Sequence, residues 1–511
     1  MGVRLRANRF ALYAGLNVVF WLVVMIAQAI GASPDPRILY LMLLFAICSA
    51  PLIKLDGLNG RYALIAIFAL AYFVMFGVGD LSALAQGAIT DRSPSVLSET
   101  EAVILGGGTI LFLCYESVVL ISDLTGAGIA SASRGRDWSK YMVLRVGLIM
   151  WAIGTYATYK WYVYIVTDET NEAVRKGLQS LTQYQTSAYI LAQMMQPLGI
   201  LLIAYFWRIY RSPLVWALIL FICALQVVIG FVADIKGLAM LGGILAIVTI
   251  VLIDGRIPKL WLIGALLYVL IVFPVFQTYR AEIAHNRGLA RTTVVANLGR
   301  VLELTLSADR RVNSGRDRAQ TFLERSSLLG SVQTIVEKTG NGVAYQRGHT
   351  LSPILATFVP KIVWSDKPDI PTGQIMNKEF HLTDSDDVFI SPSHLGELYW
   401  NFGWPGVIAG MALIGSIMGV IGSRFNLAQG KTVTRLLVTV VTIKQVVVGF
   451  ESSIAVIYVV WLRSLAGIGL LHLIFARTSV VAIWGRWEGA KVPSSLPAQP
   501  GSARPFPNLL S

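Results

Sequence analysis

Long runs of apolar residues recur along the chain, separated by short polar segments that carry most of the charge. A helix rises 1.5 Å per residue, so about 20 apolar residues cross the ~30 Å hydrocarbon core of a bilayer. About twelve runs come near this length, which predicts about twelve transmembrane helices. They occupy residues 10–31, 38–53, 62–79, 102–122, 141–166, 188–207, 213–233, 237–253, 260–276, 403–422, 433–449 and 453–475.

Composition agrees with this pattern. The 511 residues are 55% hydrophobic and 14% charged, whereas soluble domains are roughly 45–50% apolar and 25% charged. The predicted fold class is therefore an all-α polytopic membrane protein. The first run, 10–31, is longer than the roughly 7–15-residue apolar core of a signal peptide, so we interpret it as a retained span.

Lysine and arginine are concentrated in alternate loops. Short loops rich in these residues stay in the cytoplasm. They precede the first span, follow every second span and occupy the tail, which predicts that both termini are cytoplasmic. The same rule places the long segment 277–402 on the outer side. These loops account for the net charge of +13, so we expect the lipid bilayer, and no nucleic acid, as a partner.

The chain then divides into four predicted parts. Residues 1–276 hold spans 1 to 9, and residues 277–402 form a large, mainly helical outer loop. Residues 403–475 hold spans 10 to 12. Residues 476–511 are rich in Pro, Ser, Gly and Ala, and we expect them to form a disordered cytoplasmic tail.

The outer loop is rich in basic side chains and holds four of the five histidines, His285, His349, His381 and His394. The planar guanidinium of arginine meets phosphate oxygens through two parallel hydrogen bonds. The alternative for each arginine is a solvated basic surface near lipid headgroups. The candidates for binding a diphosphate are Arg280, Arg287, Arg291 and Arg347 in the loop and Arg463 in the last span.

The segment 391–406 places proton-carrying side chains directly before an apolar run. If Ser391 caps a helix, then His394, Glu397 and Asn401 fall on one face. We expect this face to line a cavity at the membrane boundary, with His394 as a general base and Glu397 as its orienting carboxylate or as the base itself. The alternative is a helix-terminal histidine that bonds to the backbone.

Two aromatic side chains of the same segment, Tyr399 and Trp404, are further substrate-binding candidates. Their rings suit the face of a sugar or an interfacial aromatic belt equally well. An acid/base pair beside them at a membrane boundary would act on a lipid-linked substrate.

Other polar patterns are weaker. The acidic run 384–387 contains the Asp-x-Asp pattern by which nucleotide-sugar transferases hold a metal. Such runs are more often solvated loops or helix caps, and we expect no metal and no cofactor. The glycines at 106–108 lie inside a span, which favours close helix packing. Inside the membrane, Lys444 could hold a phosphate or pair with Glu116 or Glu451.

Three motifs resemble a known family. They are Phe-Val-Pro-Lys-Ile-Val-Trp-Ser-Asp-Lys-Pro at 358–368, Gly-Gln-Ile-Met-Asn at 373–377 and Ser-x-Leu-Gly-Glu-Leu-Tyr-x-Asn-Phe-Gly-x-Pro-Gly at 393–406. With about twelve spans, they resemble the Wzy-type polymerases of bacterial surface polysaccharides, which belong to a broader group that includes the O-antigen ligases. The match covers about 50 residues of the loop and is topological elsewhere.

The resemblance implies a GT-C-like membrane fold and a metal-independent, inverting glycosyl transfer at the outer face of the bacterial inner membrane. The substrate would be a glycan on undecaprenyl diphosphate, passed to the next lipid-linked repeat unit. A chain-length regulator and a flippase of the same pathway are the protein partners it implies. Arginines at the start of the loop would hold the diphosphate, where Arg280, Arg287 and Arg291 lie here.

Two rival functions stay open at this point. A ligase would move the finished glycan to another acceptor, and sequence does not separate acceptors. A flippase of lipid-linked sugars belongs to another class and would show repeats and broken helices in matching halves. The chain has no internal repeat at a fixed period.

Overall fold

The computed structural model describes the protein as a bundle of helices with a small segment, which includes residues 327–355 and 372–381, packed on one end. Helices are the expected element because a bilayer offers no partner for backbone N–H and C=O groups, and a helix satisfies them internally. The described residues are 37–55, 57–85, 98–125, 138–167, 183–233, 236–256, 264, 327–355, 359, 364, 372–381 and 390–477.

The described residues are almost entirely helical and include no β-strand, which confirms the predicted all-α class. Seven of the helices they form are long and apolar enough to cross a membrane, which indicates a membrane protein. The helices are α1 (Arg37–Ile53), α2 (Ala63–Ala85), α3 (Glu99–Leu124), α4 (Lys140–Thr167), α5 (Gln183–Tyr210), α6 (Pro213–Ala233), α7 (Lys236–Asp254), α8 (Leu329–Lys338), α9 (Thr372–Phe380), α10 (Ser393–Arg424), α11 (Val433–Thr442) and α12 (Ile454–Arg477).

Ten of the twelve predicted spans fall in described stretches of the chain. The first and ninth, 10–31 and 260–276, lie outside the described stretches, so the predicted number of spans stays a prediction. Each of the others overlaps a described helix. The tenth differs in its start, because α10 begins before residue 403 and contains a break there.

The start of α3 shows how local sequence sets a helix end. Ser98 precedes the helix, and its hydroxyl accepts a hydrogen bond from the backbone N–H of Glu101 at 3.2 Å. The Glu101 carboxylate accepts from the Ser98 N–H at 2.7 Å. This capping box satisfies two backbone donors that a helix leaves without partners.

Glycines bring α3 and α10 into close contact. A Cβ at Gly107 would lie 2.8 Å from the Leu395 side chain, and one at Gly419 would lie 3.0 Å from the Tyr115 carbonyl oxygen. A Cβ at Gly415 would collide with the Leu111 carbonyl oxygen. Small residues let helix backbones approach in membranes, so the packing interpretation of the glycines at 106–108 is confirmed.

Replacing Gly415 by alanine is therefore expected to lower the thermal midpoint of the purified protein in detergent. The obstacle is a backbone carbonyl, which cannot rotate away, and overpacking costs about 1–3 kcal/mol. Gly469 in α12 is the matched control, because nothing lies within 4 Å of its Cβ position. Gly469→Ala should leave the midpoint unchanged or raise it, since alanine favours a helix over glycine. Equal midpoints for both variants would contradict the packing argument.

Phe450 lies at the centre of an aromatic cluster that joins three parts of the bundle. Its ring centroid is 5.1 Å from Phe68, 5.7 Å from Tyr72 and 6.4 Å from Phe76, all on α2. It is also 4.7 Å from the ring of His394 on α10. Phe450 is 1% exposed. The cluster fixes the turn between α11 and α12 against α2 and α10.

Candidate functional site

The first ten residues of α10 form a separate half-helix. The helix starts at Ser393, one residue later than a cap at Ser391 would place its start. The Ser393 hydroxyl accepts from the Gly396 N–H at 3.2 Å and so caps the first turn. The Ser391 hydroxyl instead contacts the Glu451 carbonyl oxygen. The start of the half-helix is thus attached to the turn before α12.

A break at Gly403 separates the half-helix from the rest of α10. Gly403 has φ 62° and ψ −146°, a conformation that side chains disfavour. Pro405 follows and has no N–H for the helix ladder. The ring of Tyr345 lies 3.4 Å from where a Cβ on Gly403 would stand. Glycine and proline therefore set the point at which α10 changes direction.

Residues 343–352, here named the clamp, wrap around the end of the half-helix. Asn401 is fully buried and its side chain holds the clamp from two sides. The clamp contains a 3₁₀ turn at His349–Leu351, and a side-chain amide that bonds to backbone groups fixes the loop that leads into it. The bonds run from Gln346 N to Trp400 O at 3.0 Å, from Arg347 N to Asn401 O at 3.0 Å, from Gly348 N to Asn401 Oδ1 at 2.8 Å and from Asn401 Nδ2 to Thr350 Oγ1 at 2.8 Å.

The clamp presents a cationic and aromatic surface. Arg347 is exposed, and its guanidinium has no hydrogen-bond or ion-pair partner among the described residues. Its backbone has φ 49°, which is uncommon for a residue with a side chain. Tyr345 and Phe402 are 41% and 46% exposed, and His349 is exposed two residues further along. Backbone strain of this kind is concentrated at functional sites.

Glu397 joins the clamp, the half-helix and α12. Its side chain is fully buried. One carboxylate oxygen accepts from the Ile454 N–H at 2.6 Å, and the other accepts from the Ser453 hydroxyl at 3.3 Å. The Thr350 hydroxyl is a further partner. Because Ile454 begins α12, the carboxylate lies at the positive end of that helix.

His394 is fully buried, although we predicted it on a polar face that lines a cavity. Its ring packs 4.7 Å from Phe450 and 5.6 Å from Tyr458, centroid to centroid. Neither ring nitrogen has a hydrogen-bond partner in the described part of the chain, so the predicted contact with Glu397 is not formed. Burial without partners favours the uncharged imidazole.

The predicted aromatic candidates face α3. The Tyr399 hydroxyl donates to the Glu99 carboxylate at 2.6 Å, and Tyr399 is 5% exposed. The Trp404 ring lies 3.2 Å from where a Cβ on Gly106 would stand. Tyr399 fixes the half-helix against α3, and Trp404 does the same for the part of α10 after the break. Their use by a sugar stays a prediction.

The predicted arginines are distributed over different parts of the protein. Arg280, Arg287 and Arg291 lie outside the described residues. Arg463 is partly buried on α12 and takes part in interactions within the structure. Arg347 is therefore the predicted diphosphate ligand for which the structure shows an exposed side chain. The acidic run 384–387 also lies outside the described stretches.

His349 was not selected as a site residue from the sequence. It was recognisable only as one of four loop histidines. In the structure, Arg347 and Gly348 both have left-handed backbone conformations, and the chain turns there directly before His349.

No family model, curated protein or solved structure matches this chain.

Proposed function

We propose that this protein joins lipid-linked oligosaccharide repeat units into a polysaccharide at the outer face of a bacterial inner membrane. The proposed reaction is a metal-independent, inverting glycosyl transfer. The observation that carries the proposal is the clamp. It holds Arg347 and His349 exposed, on a backbone fixed by buried hydrogen bonds, directly beside the break at Gly403 from which α10 runs on as an apolar helix.

A lipid-linked donor fits this position. Its polyprenyl chain would lie in the bilayer, and its diphosphate and sugars would stand at the boundary. Arg347 would hold the diphosphate through paired hydrogen bonds. The exposed rings of Tyr345 and Phe402 suit sugar faces or the headgroup region. A fixed arginine keeps its orientation as charge develops on the leaving diphosphate.

The proposed reaction balances as follows. A hydroxyl oxygen of the acceptor sugar forms a bond to the anomeric carbon of the donor glycan. The bond from that carbon to the diphosphate oxygen breaks, and polyprenyl diphosphate leaves with the electron pair. The hydroxyl proton goes to His349, which is exposed and close in sequence to Arg347. His394 and Glu397 act as positioning residues, since both are buried.

The test is reconstitution of the full chain in proteoliposomes with a lipid-linked repeat unit. Polymerisation gives a ladder of products that differ by one unit. Addition of a single glycan to a different acceptor would show a ligase instead. Movement of the repeat unit between leaflets with no new glycosidic bond would show a flippase. Either result would reject the proposed polymerase.

Replacing His349 by glutamine is expected to lower the initial rate of ladder formation about 100-fold, because general base catalysis contributes roughly 10²- to 10⁴-fold. The thermal midpoint should stay unchanged, since the side chain is exposed. His381→Gln is the control, because His381 is an exposed histidine after α9 and lies outside the clamp. A wild-type rate for His349→Gln would reject its role as base.

A further inference from the structure

The helix that precedes the last span loses regular α geometry partway along. After α11, residues Ile443–Val447 form a π-helical turn and Val448–Glu451 a 3₁₀ turn. A π-helical turn inserts an extra residue and redirects the side chains around it, and such turns are frequent at functional sites. Lys444 lies in this turn. A lysine at membrane depth is costly unless it meets an anion or a wet cavity.

The segment that carries Lys444 belongs to the interior of the bundle. In the apolar segment 433–451, 78% of the most apolar stretch is buried inside the protein. The corresponding share is 28–56% for the other candidate spans in the described residues. The π-helical turn packs against α2 and α12. A lysine on a lipid-facing helix can extend its stem along the bilayer toward water. The turn that carries Lys444 instead packs against protein helices, and the Lys444 side chain is partly buried.

The anions considered from sequence are not its partners. Glu116 pairs with Lys54 at 2.8 Å and accepts from the Tyr62 hydroxyl at 3.3 Å. Glu451 is exposed and forms no ion pair with Lys444. Among the described residues, the Lys444 ammonium has no hydrogen-bond or ion-pair partner. We therefore expect a bound anionic ligand to balance the charge of the Lys444 ammonium.

The chain is fixed on both sides of Lys444. On one side, the Trp461 indole N–H donates to the Thr442 hydroxyl at 3.1 Å, which joins the turn to α12. On the other side, Phe450 packs against α2 and against the ring of His394 in the half-helix. The π-helical turn thus packs against α2 and the last span, and the 3₁₀ turn that follows it reaches the half-helix that the clamp surrounds.

Depth and chemistry together select the ligand. Lys444 precedes Gly449 by about one helical turn, which places it on the order of 8 Å from that turn. Lysine carries its charge on a flexible four-carbon stem. An anion that reaches this level inside a bundle is the headgroup of an amphiphile. Lysine binds phosphate as a point charge. We propose that Lys444 binds a phosphate of a membrane-resident lipid phosphate, the diphosphate of the substrate if the proposed function holds.

The test is equilibrium binding to the purified full chain in nanodiscs, followed by tryptophan fluorescence, with no transfer reaction. The probes are a short-chain polyprenyl diphosphate, phosphatidylglycerol and inorganic diphosphate. Lys444→Met keeps the length of the side chain and removes its charge, and it should weaken lipid phosphate binding about tenfold. Lys444→Arg should retain most of the affinity.

The control is Lys378→Met, because Lys378 is exposed on α9 and its ammonium has no partner among the described residues. It should bind as the wild type does. A loss confined to polyprenyl diphosphate identifies the substrate lipid, and an equal loss for phosphatidylglycerol identifies a general lipid site. Unchanged affinity of Lys444→Met for both lipids, or a loss only for inorganic diphosphate, would overturn the proposal. Because no transfer is measured, weaker lipid phosphate binding by Lys444→Met would support this proposal even if the proposed polymerase were rejected.

Discussion

Replacing Glu397 by alanine is expected to lower the free energy of unfolding by about 3–5 kcal/mol or to prevent folding. The carboxylate accepts from Ile454 N–H and from Ser453, and it also bonds Thr350. Removing it leaves the Ile454 N–H buried without its acceptor and takes one partner from the Thr350 and Ser453 hydroxyls, although Ser453 also bonds the Thr372 hydroxyl at 3.2 Å. Each buried donor that loses its acceptor costs about 1–3 kcal/mol. The measurement is the thermal midpoint and the yield of folded protein in detergent.

Two further variants separate this positioning role from a general loss of charge. Glu397→Gln keeps the shape and one acceptor oxygen, so it should lose about half as much stability. Glu379→Ala removes an exposed carboxylate on α9 whose side chain has no partner among the described residues, and it should have no effect. A Glu397→Ala protein as stable as the wild type would show that the carboxylate does not hold α12 to the half-helix.

The membrane-spanning helices were predictable because the bilayer imposes a simple rule on sequence. Any segment that crosses it must be long, apolar and helical, so the run 102–122 already predicts α3. The glycines at 106–108 were readable for the same reason, since small residues in a span have few uses other than close packing. Such features depend on residues that are near one another in the chain.

The burial of His394 was not predictable, because it depends on residues far away in sequence. The local spacing places His394, Glu397 and Asn401 on one helical face, as predicted. For His394, burial against protein is decided by Phe450, in the turn after α11, and by Tyr458 on α12, whose rings pack against the imidazole. The prediction that this face lines a cavity was wrong for this reason, because His394, Glu397 and Asn401 are all fully buried.

The conformation of Arg347 is a second feature that sequence patterns do not reveal. A left-handed arginine goes against local preference, and it persists because the surrounding structure over-determines it. Here the determinants are the bonds to Asn401, which lies 54 residues later by number, and the ring contact of Gly348 with Phe402. A helix-period or strand-period pattern contains no signal for such a contact.

Replacing Arg347 by glycine is expected to lower the rate of glycan transfer by about 10²- to 10³-fold, as loss of a charge-stabilising donor does at other active sites. The same change should raise stability, because a left-handed backbone costs a residue with a side chain roughly 1–2 kcal/mol and glycine little. The backbone bond from residue 347 to the Asn401 carbonyl is retained in this variant. Activity and stability should therefore change in opposite directions, which a merely structural role cannot produce.

His381→Gly provides the matched control for this prediction. His381 has the same φ of 49° and is exposed, but it follows α9 outside the clamp. It should give a comparable rise in thermal midpoint with an unchanged transfer rate. Arg347→Lys keeps the charge without the planar fork, so its rate should fall between those of the wild type and Arg347→Gly. If Arg347→Gly instead transfers glycan at the wild-type rate, Arg347 does not hold the leaving diphosphate, and that function passes to arginines elsewhere in the chain.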